Sequence, residues 1–482
     1  MLERTVAVLI TCTIGSSLLA FGAVYPWAYR PIFVACFVIG AITLLWCWRR
    51  EARWKSLDGR LAVTLLLLVA AIAVQLLPVS RGSLLQISPA ADRFLIGYDL
   101  EYAQAARLGA DSYRHPLSIS PQSTMLGLLF LVSLQVLFWS TNTLFSRCEP
   151  KQIARSVLVI GSIVAVFAII QRATYNQKIY WLWKPENTPH PASGPFVNHN
   201  HFAGWLLMVI PLALGYFGGQ LEAAMRGVKP DWRNRVLWFA TSDASAMLLN
   251  AFCIGVMTLA LFLTLSRSGM SCFLIATGVG GWFVIRRRYN TLRVATATSY
   301  VLLLIVIAVI GTGLDVILTR FAGLPKGDFH GRVLAWTDTL HIARDFPLVG
   351  TGFNTFGIAS LTYQTTNLES HYAEAHSDYL QLLSEGGVLL AVPAVLIAVS
   401  FIGRVRARFS ERLDDRMTYW MRVGAVTGIV AMAMQEAFEF SLQMPANAVM
   451  FTVLCGIAAH RLSADRTGRE PGTGRAPIGG VE

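Results

Sequence analysis

Long runs of apolar residues, separated by short polar segments, dominate the pattern along the chain. Most of these runs reach or approach the ~20 residues that a helix needs to cross ~30 Å of hydrocarbon. They predict an all-α fold, a polytopic transmembrane helical bundle of about 12 spans. The predicted spans cover about residues 6–24, 31–48, 61–80, 123–145, 156–170, 202–219, 244–265, 270–285, 294–314, 379–403, 423–439 and 446–460.

The composition agrees with a membrane protein. Hydrophobic residues make up 54% of the chain and charged residues 14%, whereas ordinary soluble domains carry about 25% charged residues. The first apolar run lacks a small-residue cleavage site, so we expect it to be retained as a helix rather than removed as a signal peptide. We assign residues 1–460 to one transmembrane domain and residues 461–482, rich in Gly, Arg and Pro, to a disordered cytoplasmic tail.

The net charge of +12 could suggest a nucleic-acid partner, but its distribution argues against one. With the N-terminus inside, about two thirds of the Lys and Arg residues fall in short cytoplasmic segments, as the positive-inside rule requires. Orientation therefore explains the basic charge, and both termini are predicted to be cytoplasmic. Three long loops, about 81–122, 171–201 and 315–378, lie on the outer face, and we expect the function there.

The third outer loop predicts a short amphipathic helix. Apolar residues recur at helical spacing after Arg332, and the helix should end before Pro347. Arg332 then lies in its first turn. The glycines of residues 347–357 could suggest a phosphate-binding loop, but no strand precedes them and no Gly-Lys-Ser/Thr follows. A tight turn leading into a strand-like or loop segment is the better interpretation.

A long helix is predicted from about His376 to Gly403. It would be ~42 Å long at 1.5 Å per residue, so its first two turns should protrude outward. His376 would then stand at the water boundary with Tyr379 on the same face, above Gly386 and Gly387, which allow either a bend or close packing. A neutral histidine there can accept a proton from a hydroxyl, and the alternative is a capping or interfacial histidine.

Arg267 lies in a turn so short that its side chain must stay at the outer boundary between two spans. An arginine near hydrocarbon needs an anion or a carbonyl partner. Guanidinium is also well shaped for bidentate contact with phosphate. Arg267 is therefore a candidate anion-binding residue, and a snorkelling arginine is the alternative.

Two polar groups flank the last spans on the outer face. Asn198, His199, Asn200 and His201 precede the sixth span, and with no acidic or cysteine residue close by they fit a polar ligand or a helix cap better than a metal site. In the last hairpin, either Glu436 or Glu439 could be a base or could hold an arginine. Helix capping is the alternative for both carboxylates.

Together these residues place two arginines and a histidine on the outer face, where no ATP or nucleotide sugar is available. Chemistry there needs a substrate that is already activated on the membrane, such as a glycan linked to a polyprenyl diphosphate. Arginines would stabilise the departing diphosphate without a metal, and a histidine could deprotonate the attacking sugar hydroxyl.

The region from about residue 194 to residue 460 resembles the O-antigen ligase and polymerase family of bacterial envelope glycosyltransferases. The motifs that carry the resemblance are Asn198-His-Asn-His-Phe-Ala-Gly204, Ser266-Arg-Ser-Gly269, Gly331-Arg332 with Trp336, Pro347-Leu-Val-Gly-Thr-Gly-Phe353, His376-Ser377 and Phe440-Ser-Leu-Gln-Met-Pro-Ala-Asn447, to which Pro116-Leu-Ser-Ile-Ser-Pro121 adds a further likeness. Their order and their placement on one predicted face give the match its specificity.

The resemblance implies a twelve-helix protein of the bacterial inner membrane and an inverting transfer of an undecaprenyl diphosphate-linked glycan, with no metal and no cofactor. It implies that His376 is the base and that Arg267 and Arg332 bind the diphosphate. The candidate contacts to the glycan or to the lipid donor are Asn198, His199, Asn200, His201, Tyr379 and Glu436.

Two questions stay open at the level of sequence. The acceptor is either lipid A-core, as for a ligase, or a lipid-linked glycan, as for a polymerase, and Leu390 fills a position where ligases are expected to carry Gly, Thr or Tyr. The alternative class is a polytopic transporter of a lipid-linked or anionic substrate. Transporters place such charges near the bilayer midplane, whereas here they cluster at one boundary among membrane lipids.

Overall fold

The computed structural model describes residues 2–49, 59–110, 112–148, 150–185, 190–225, 233, 237–238, 240–286, 291–322, 328–365, 371–410 and 416–461. These residues are mostly helical. The elements, in chain order, are α1 (Leu2–Leu19), α2 (Pro26–Arg49), α3 (Gly59–Gln75), β1 (Pro78–Ser80), α4 (Arg81–Ile87), α5 (Pro89–Tyr98), α6 (Leu100–Arg107), β2 (Arg114–Pro116), α7 (Pro121–Arg147), α8 (Lys151–Ala173), α9 (His199–Ala224), α10 (Ser242–Leu263), α11 (Arg267–Arg286), α12 (Thr291–Thr312), α13 (Leu314–Ala322), α14 (Asp328–Asp345), α15 (Phe356–Tyr363), α16 (Asp378–Ser410), α17 (Arg416–Gln435) and α18 (Pro445–Ala459). Except for residue 461, the predicted tail lies outside the described residues.

The all-α membrane architecture is confirmed. Among the described residues, seven helices are long and apolar enough to cross a membrane. An eighth crossing results if α12 and α13, which meet at a bend of 83°, form one broken span. Each predicted span overlaps one helix, although α3 and α18 are shorter than a full crossing. The number of twelve spans therefore stays a prediction.

Helix α9 forms the centre of the bundle. Every residue from His201 to Ala213 is buried, as expected for a helix that is apolar on all sides. Its backbone touches that of α17, since a Cβ on Gly215 would lie 2.4 Å from the Trp420 carbonyl oxygen, and one on Gly424 would lie 2.4 Å from that of Pro211. Small residues permit such close approach of membrane helices. The first turn of α9 and the end of α17 are thereby fixed side by side.

The outer loops fold into a small layer on this bundle. The strands β1 and β2 pair antiparallel, with Pro78 opposite Pro116. A helix, α14, is present where the amphipathic helix was predicted and ends at Asp345, two residues before Pro347, but its apolar residues Val333 and Leu340 are exposed. The apolar core of the layer joins the first and third outer loops, and it includes Leu84, Leu95, Tyr102, Ile342, Phe346, Phe356 and Ala375. Because Ala375 belongs to this core, the layer also holds the turn that contains His376.

The long helix bends at Gly387, where φ is 51° and ψ is −149°. The break frees backbone groups of α16, and the loop after α14 pairs with them. The N–H groups of Val388 and Leu389 donate to the carbonyls of Pro347 and Leu348, both at 2.9 Å. Buried backbone that is not helical is stable only when protein groups satisfy it in this way.

A buried carboxylate ties the other end of this loop to α16. Glu385 accepts hydrogen bonds from the N–H groups of Asn354 at 2.7 Å and Phe356 at 3.0 Å. Gln75 of α3 adds a donor to the Val349 carbonyl at 2.7 Å. The segment after the turn is a helix, α15, so the expected strand-like or loop segment is wrong there. The two bonds to Glu385 show why, since they organise the backbone where α15 begins.

The replacement Gly387→Ala should destabilise the protein. A side chain at this φ and ψ is strained, by about 1–3 kcal/mol, and its Cβ would lie 2.5 Å from the Pro347 carbonyl oxygen. Thermal unfolding in detergent measures the effect. Gly403→Ala is the matched control in the same helix, because a Cβ there meets no atom within 4 Å. Equal unfolding temperatures for the two variants would contradict the importance of the break.

Candidate functional site

The candidate site lies where α14 meets the connection between α17 and α18. Arg332, in the first turns of α14, donates from Nη2 to Glu439 Oε1 at 2.5 Å. The Glu439 side chain is fully buried, whereas 20% of the Arg332 side chain is exposed. A guanidinium at this position is therefore anchored on one side by a carboxylate and is reachable from solvent.

Three consecutive residues, Phe438, Glu439 and Phe440, form the wall opposite α14, and we call them the 438–440 segment. The ring of Phe438 lies 6.1 Å from the Trp336 ring. The ring of Phe440 lies 5.0 Å from the His376 ring in an edge-to-face arrangement. One short segment thus contacts both the helix that carries the arginine and the candidate base.

His376 itself has an unusual backbone. Its φ is 52°, which few residues other than glycine adopt, and the Trp336 indole N–H donates to its carbonyl at 3.3 Å. The imidazole Nδ1 is buried and has no hydrogen-bond partner among the described residues. Strained residues of this kind cluster at functional sites, where the surrounding structure holds them in place.

The surroundings of His376 favour the neutral imidazole. Burial lowers its pKa from 6.5 to about 4, and the positive charge of Arg332 acts in the same direction. At pH 7 the ring is therefore uncharged and can accept a proton.

The carboxyl groups of Asp378 and Glu436 belong to the segments that adjoin the His376 turn. The Asp378 N–H donates to the carbonyls of Glu436 at 3.1 Å and Glu439 at 3.3 Å, and the Gln443 side-chain amide donates to Asp378 Oδ1 at 2.7 Å. Burial raises the pKa of Glu436, and the adjacent Asp378 raises it further. These contacts hold the start of α16 on the connection between α17 and α18, and therefore hold the His376 turn.

The first turn of α9 approaches the site from the bundle. The His201 ring lies 4.7 Å from the Phe440 ring, so Phe440 contacts both His201 and His376. The Asn447 side-chain amide donates to the His201 carbonyl at 3.0 Å. The Tyr379 hydroxyl donates to the Ala433 carbonyl at 2.6 Å, and 53% of the Tyr379 residue is exposed.

The other residues before the sixth predicted span have mainly local contacts. Asn198 caps α9, since its Oδ1 accepts from the Asn200 N–H at 2.8 Å. The Asn200 carbonyl accepts from the Gln435 amide at 3.0 Å, and the His199 ring lies 4.6 Å from the His190 ring. The described residues include no group of three or more His, Cys, Asp or Glu side chains placed to hold a metal.

Arg267 is the first residue of α11, which packs against the first turns of α9. Its Nε donates to the Arg320 carbonyl at 2.8 Å, and Gly269 packs so closely on α9 that a Cβ would lie 2.8 Å from the Ala203 Cβ. Burial together with the positive charges of Arg172 and Arg320 lowers the pKa of His190 to about 4. Arg267 therefore lies close to other cationic residues near the start of α9.

The contribution of Asp378 and Phe440 to the site was missed from sequence. Asp378 is two residues after His376 in a predicted helix. Residue spacing within that helix gives no information about a contact to the last hairpin. Phe440 lies within a quoted motif but has no chemistry of its own. The interpretation of the last hairpin as holding an arginine is confirmed for Glu439.

Residues 252–395 match a family model described as O-antigen ligase. The matched segment contains Arg267, Arg332 and His376, and within these residues it confirms the resemblance noted from the motifs. No curated protein matches the chain significantly.

The lowered pKa of His376 predicts a pH dependence of stability. The folded state keeps the imidazole neutral, so its contribution to stability is complete above about pH 6.5. As pH falls from there towards 4, the unfolded state binds a proton that the folded state does not, and the contribution is lost. The free energy of unfolding of the wild type should therefore fall towards that of His376→Gln.

Denaturation in detergent at about pH 7 and about pH 4.5 measures this change. The control is His371→Gln, because His371 is exposed on the same outer loop. An equal pH response of the wild type and His376→Gln would show that the imidazole is not held neutral.

Proposed function

We propose that the protein transfers an undecaprenyl diphosphate-linked glycan to a glycan acceptor at the outer face of the bacterial inner membrane. The match of residues 252–395 to the O-antigen ligase family model and the apolar helices support a multi-pass membrane glycosyltransferase of the ligase type. The acceptor is lipid A-core or a lipid-linked glycan. Residues 1–460 form the transferase, and both termini are cytoplasmic.

One observation carries the proposal. A neutral imidazole, His376, shares a wall of side chains with a partly exposed guanidinium, Arg332. Proton acceptance and stabilisation of an anion are the two functions that transfer from a lipid diphosphate requires. Both residues belong to the layer formed by the outer loops. This layer lies at the end of the bundle where the positive-inside rule predicts the outer face.

In the proposed reaction, the acceptor hydroxyl oxygen attacks the anomeric carbon of the donor sugar from the side opposite the diphosphate. The bond between that carbon and the diphosphate oxygen breaks, and its electron pair leaves with the diphosphate. His376 takes the hydroxyl proton, and the anomeric carbon is inverted because the attack comes from the side opposite the leaving group. Arg332 and Arg267 stabilise the charge that develops on the leaving oxygen, a role for which bidentate guanidinium is suited.

The remaining polar residues have different places in this proposal. Tyr379 is the best placed for glycan contact, because its ring is exposed one turn after His376. His201 lines the inner side of the site through Phe440. Asn198, His199 and Asn200 form the start of α9, close to Arg267. Glu436 supports the His376 turn through Asp378.

An assay with purified protein tests the proposal. The protein is incubated with an undecaprenyl diphosphate-linked repeat unit, with and without lipid A-core. Product only with lipid A-core identifies a ligase, and polymer on the carrier alone identifies a polymerase. Activity should persist in EDTA, because arginines supply the positive charge. Folded protein that gives no product with a matched donor, but moves a labelled lipid-linked glycan across vesicles, would favour the transporter alternative.

The replacement His376→Ala should reduce glycan transfer by about 100-fold or more, because a general base contributes about 10²–10⁴-fold. Binding of the donor should change little, since Arg267 and Arg332 remain. Turnover and donor affinity are measured separately for the same preparation. Turnover at the wild-type rate in the variant would remove His376 as the base.

A further inference from the structure

Glu439 is the partner that the structure gives to the candidate anion-binding arginine. Its carboxylate is fully buried, and it meets Arg332 at one nitrogen, Nη2. Among the described residues, Glu439 is the only hydrogen-bond partner of the Arg332 guanidinium. Because five N–H groups lie in a planar fork, holding one nitrogen orients the others.

Glu439 is itself held from several sides. Its backbone carbonyl accepts from the Asp378 N–H at 3.3 Å, which ties it to the start of α16. The residues that follow it form a short 3₁₀ turn, Ser441–Gln443, before α18 begins. The carboxylate is therefore a fixed acceptor rather than a mobile surface group.

The neighbours of Glu439 link the arginine to the base. Phe438 packs on Trp336, one turn after Arg332 in α14, and Trp336 donates to the His376 carbonyl. Phe440 packs on the His376 ring. The 438–440 segment thus contacts Arg332, the helix that carries it and His376 through three consecutive side chains.

We propose that Glu439 is a positioning residue, which fixes the Arg332 guanidinium in register with His376 so that the diphosphate of the donor is bound where the base can serve the incoming hydroxyl. This inference rests on the proposed function. An arginine side chain is long and has many rotamers, so ordering it costs conformational entropy. If the side chain is ordered before the substrate binds, this cost does not add to the activation free energy. One side of the guanidinium is then anchored, and the part exposed to solvent is presented to phosphate oxygens.

A competing arrangement makes the opposite prediction. If Glu439 merely occupied Arg332 in the absence of substrate, the donor would have to displace a buried carboxylate. Removal of the negative charge would then improve donor binding and raise turnover. Glu439→Gln should therefore weaken donor binding and turnover if Glu439 positions Arg332, and should strengthen both if Glu439 competes with the donor.

A double-mutant cycle tests the inference with Glu439→Gln, Arg332→Ala and the double variant. The readouts are binding of undecaprenyl diphosphate, turnover and thermal unfolding in detergent. Glu439→Gln should weaken binding and lower turnover by about 10- to 100-fold, the range seen when a supporting partner of a functional side chain is lost. In the Arg332→Ala background the same replacement should change binding and turnover by less than about twofold, because its target is gone.

The matched control is Glu222→Gln. Glu222 is also a buried carboxylate that accepts from an arginine, Arg416, and it accepts from the Trp420 indole N–H at 2.6 Å. It lies near the end of α9 opposite to the candidate site, so its replacement should lower the unfolding temperature and leave undecaprenyl diphosphate affinity and turnover unchanged. The comparison separates positioning from the general cost of losing a buried ion pair.

Independent, multiplicative effects of Glu439→Gln and Arg332→Ala would overturn the inference, as would stronger binding or faster turnover in Glu439→Gln. If Glu439→Gln does not fold, Glu439→Asp keeps the charge but withdraws it by one methylene, and the same cycle is measured with that variant. A wild type that neither binds undecaprenyl diphosphate nor makes product would refute the proposed function instead.

Discussion

The direct backbone contact between α9 and α17 is the constraint on which the candidate site depends. Glycines at 215 and 424 let the two helices approach until a single added carbon would collide with the opposite backbone. In lipid the hydrophobic effect does not drive apolar helices together, so close van der Waals packing must hold such a pair. Because α9 begins with the His201 turn and α17 ends just before the 438–440 segment, this contact sets the inner wall of the site.

The outer wall of the site depends on how the backbone groups at the break in α16 are hydrogen-bonded. The break at Gly387 would leave backbone groups of α16 unsatisfied in an apolar environment, which is costly. The loop after α14 meets these groups, and Glu385 fixes the other end of that loop. As a result α14, the start of α16 and the His376 turn form one connected layer. The hydrogen bonds that satisfy the break thus also position Arg332 relative to His376.

Within this frame, burial and charge give the site residues separate properties. His376 stays neutral because it is largely withdrawn from water and lies near a positive charge. Arg332 stays oriented because its partner is a fully buried carboxylate. Asp378 and Glu436 hold the turn that carries the histidine, and burial raises the pKa of Glu436. The polar groups that react in the proposed transfer are therefore supported by polar groups that do not react.

The sequence by itself determined the membrane helices, the helix that carries Arg332 and ends before Pro347, and the glycines at which the long helix could bend or pack closely. Each of these follows from local signals: apolar periodicity, proline and glycine positions, and helix length. It also indicated an arginine partner in the last hairpin without saying which carboxylate. Only the tertiary structure decided that Glu439 pairs with Arg332, 107 residues away, that Phe440 contacts both His201 and His376, and that Arg267 donates to the Arg320 carbonyl. Periodicity describes how a segment faces its surroundings, whereas the choice between distant partners depends on how close two helices can pack.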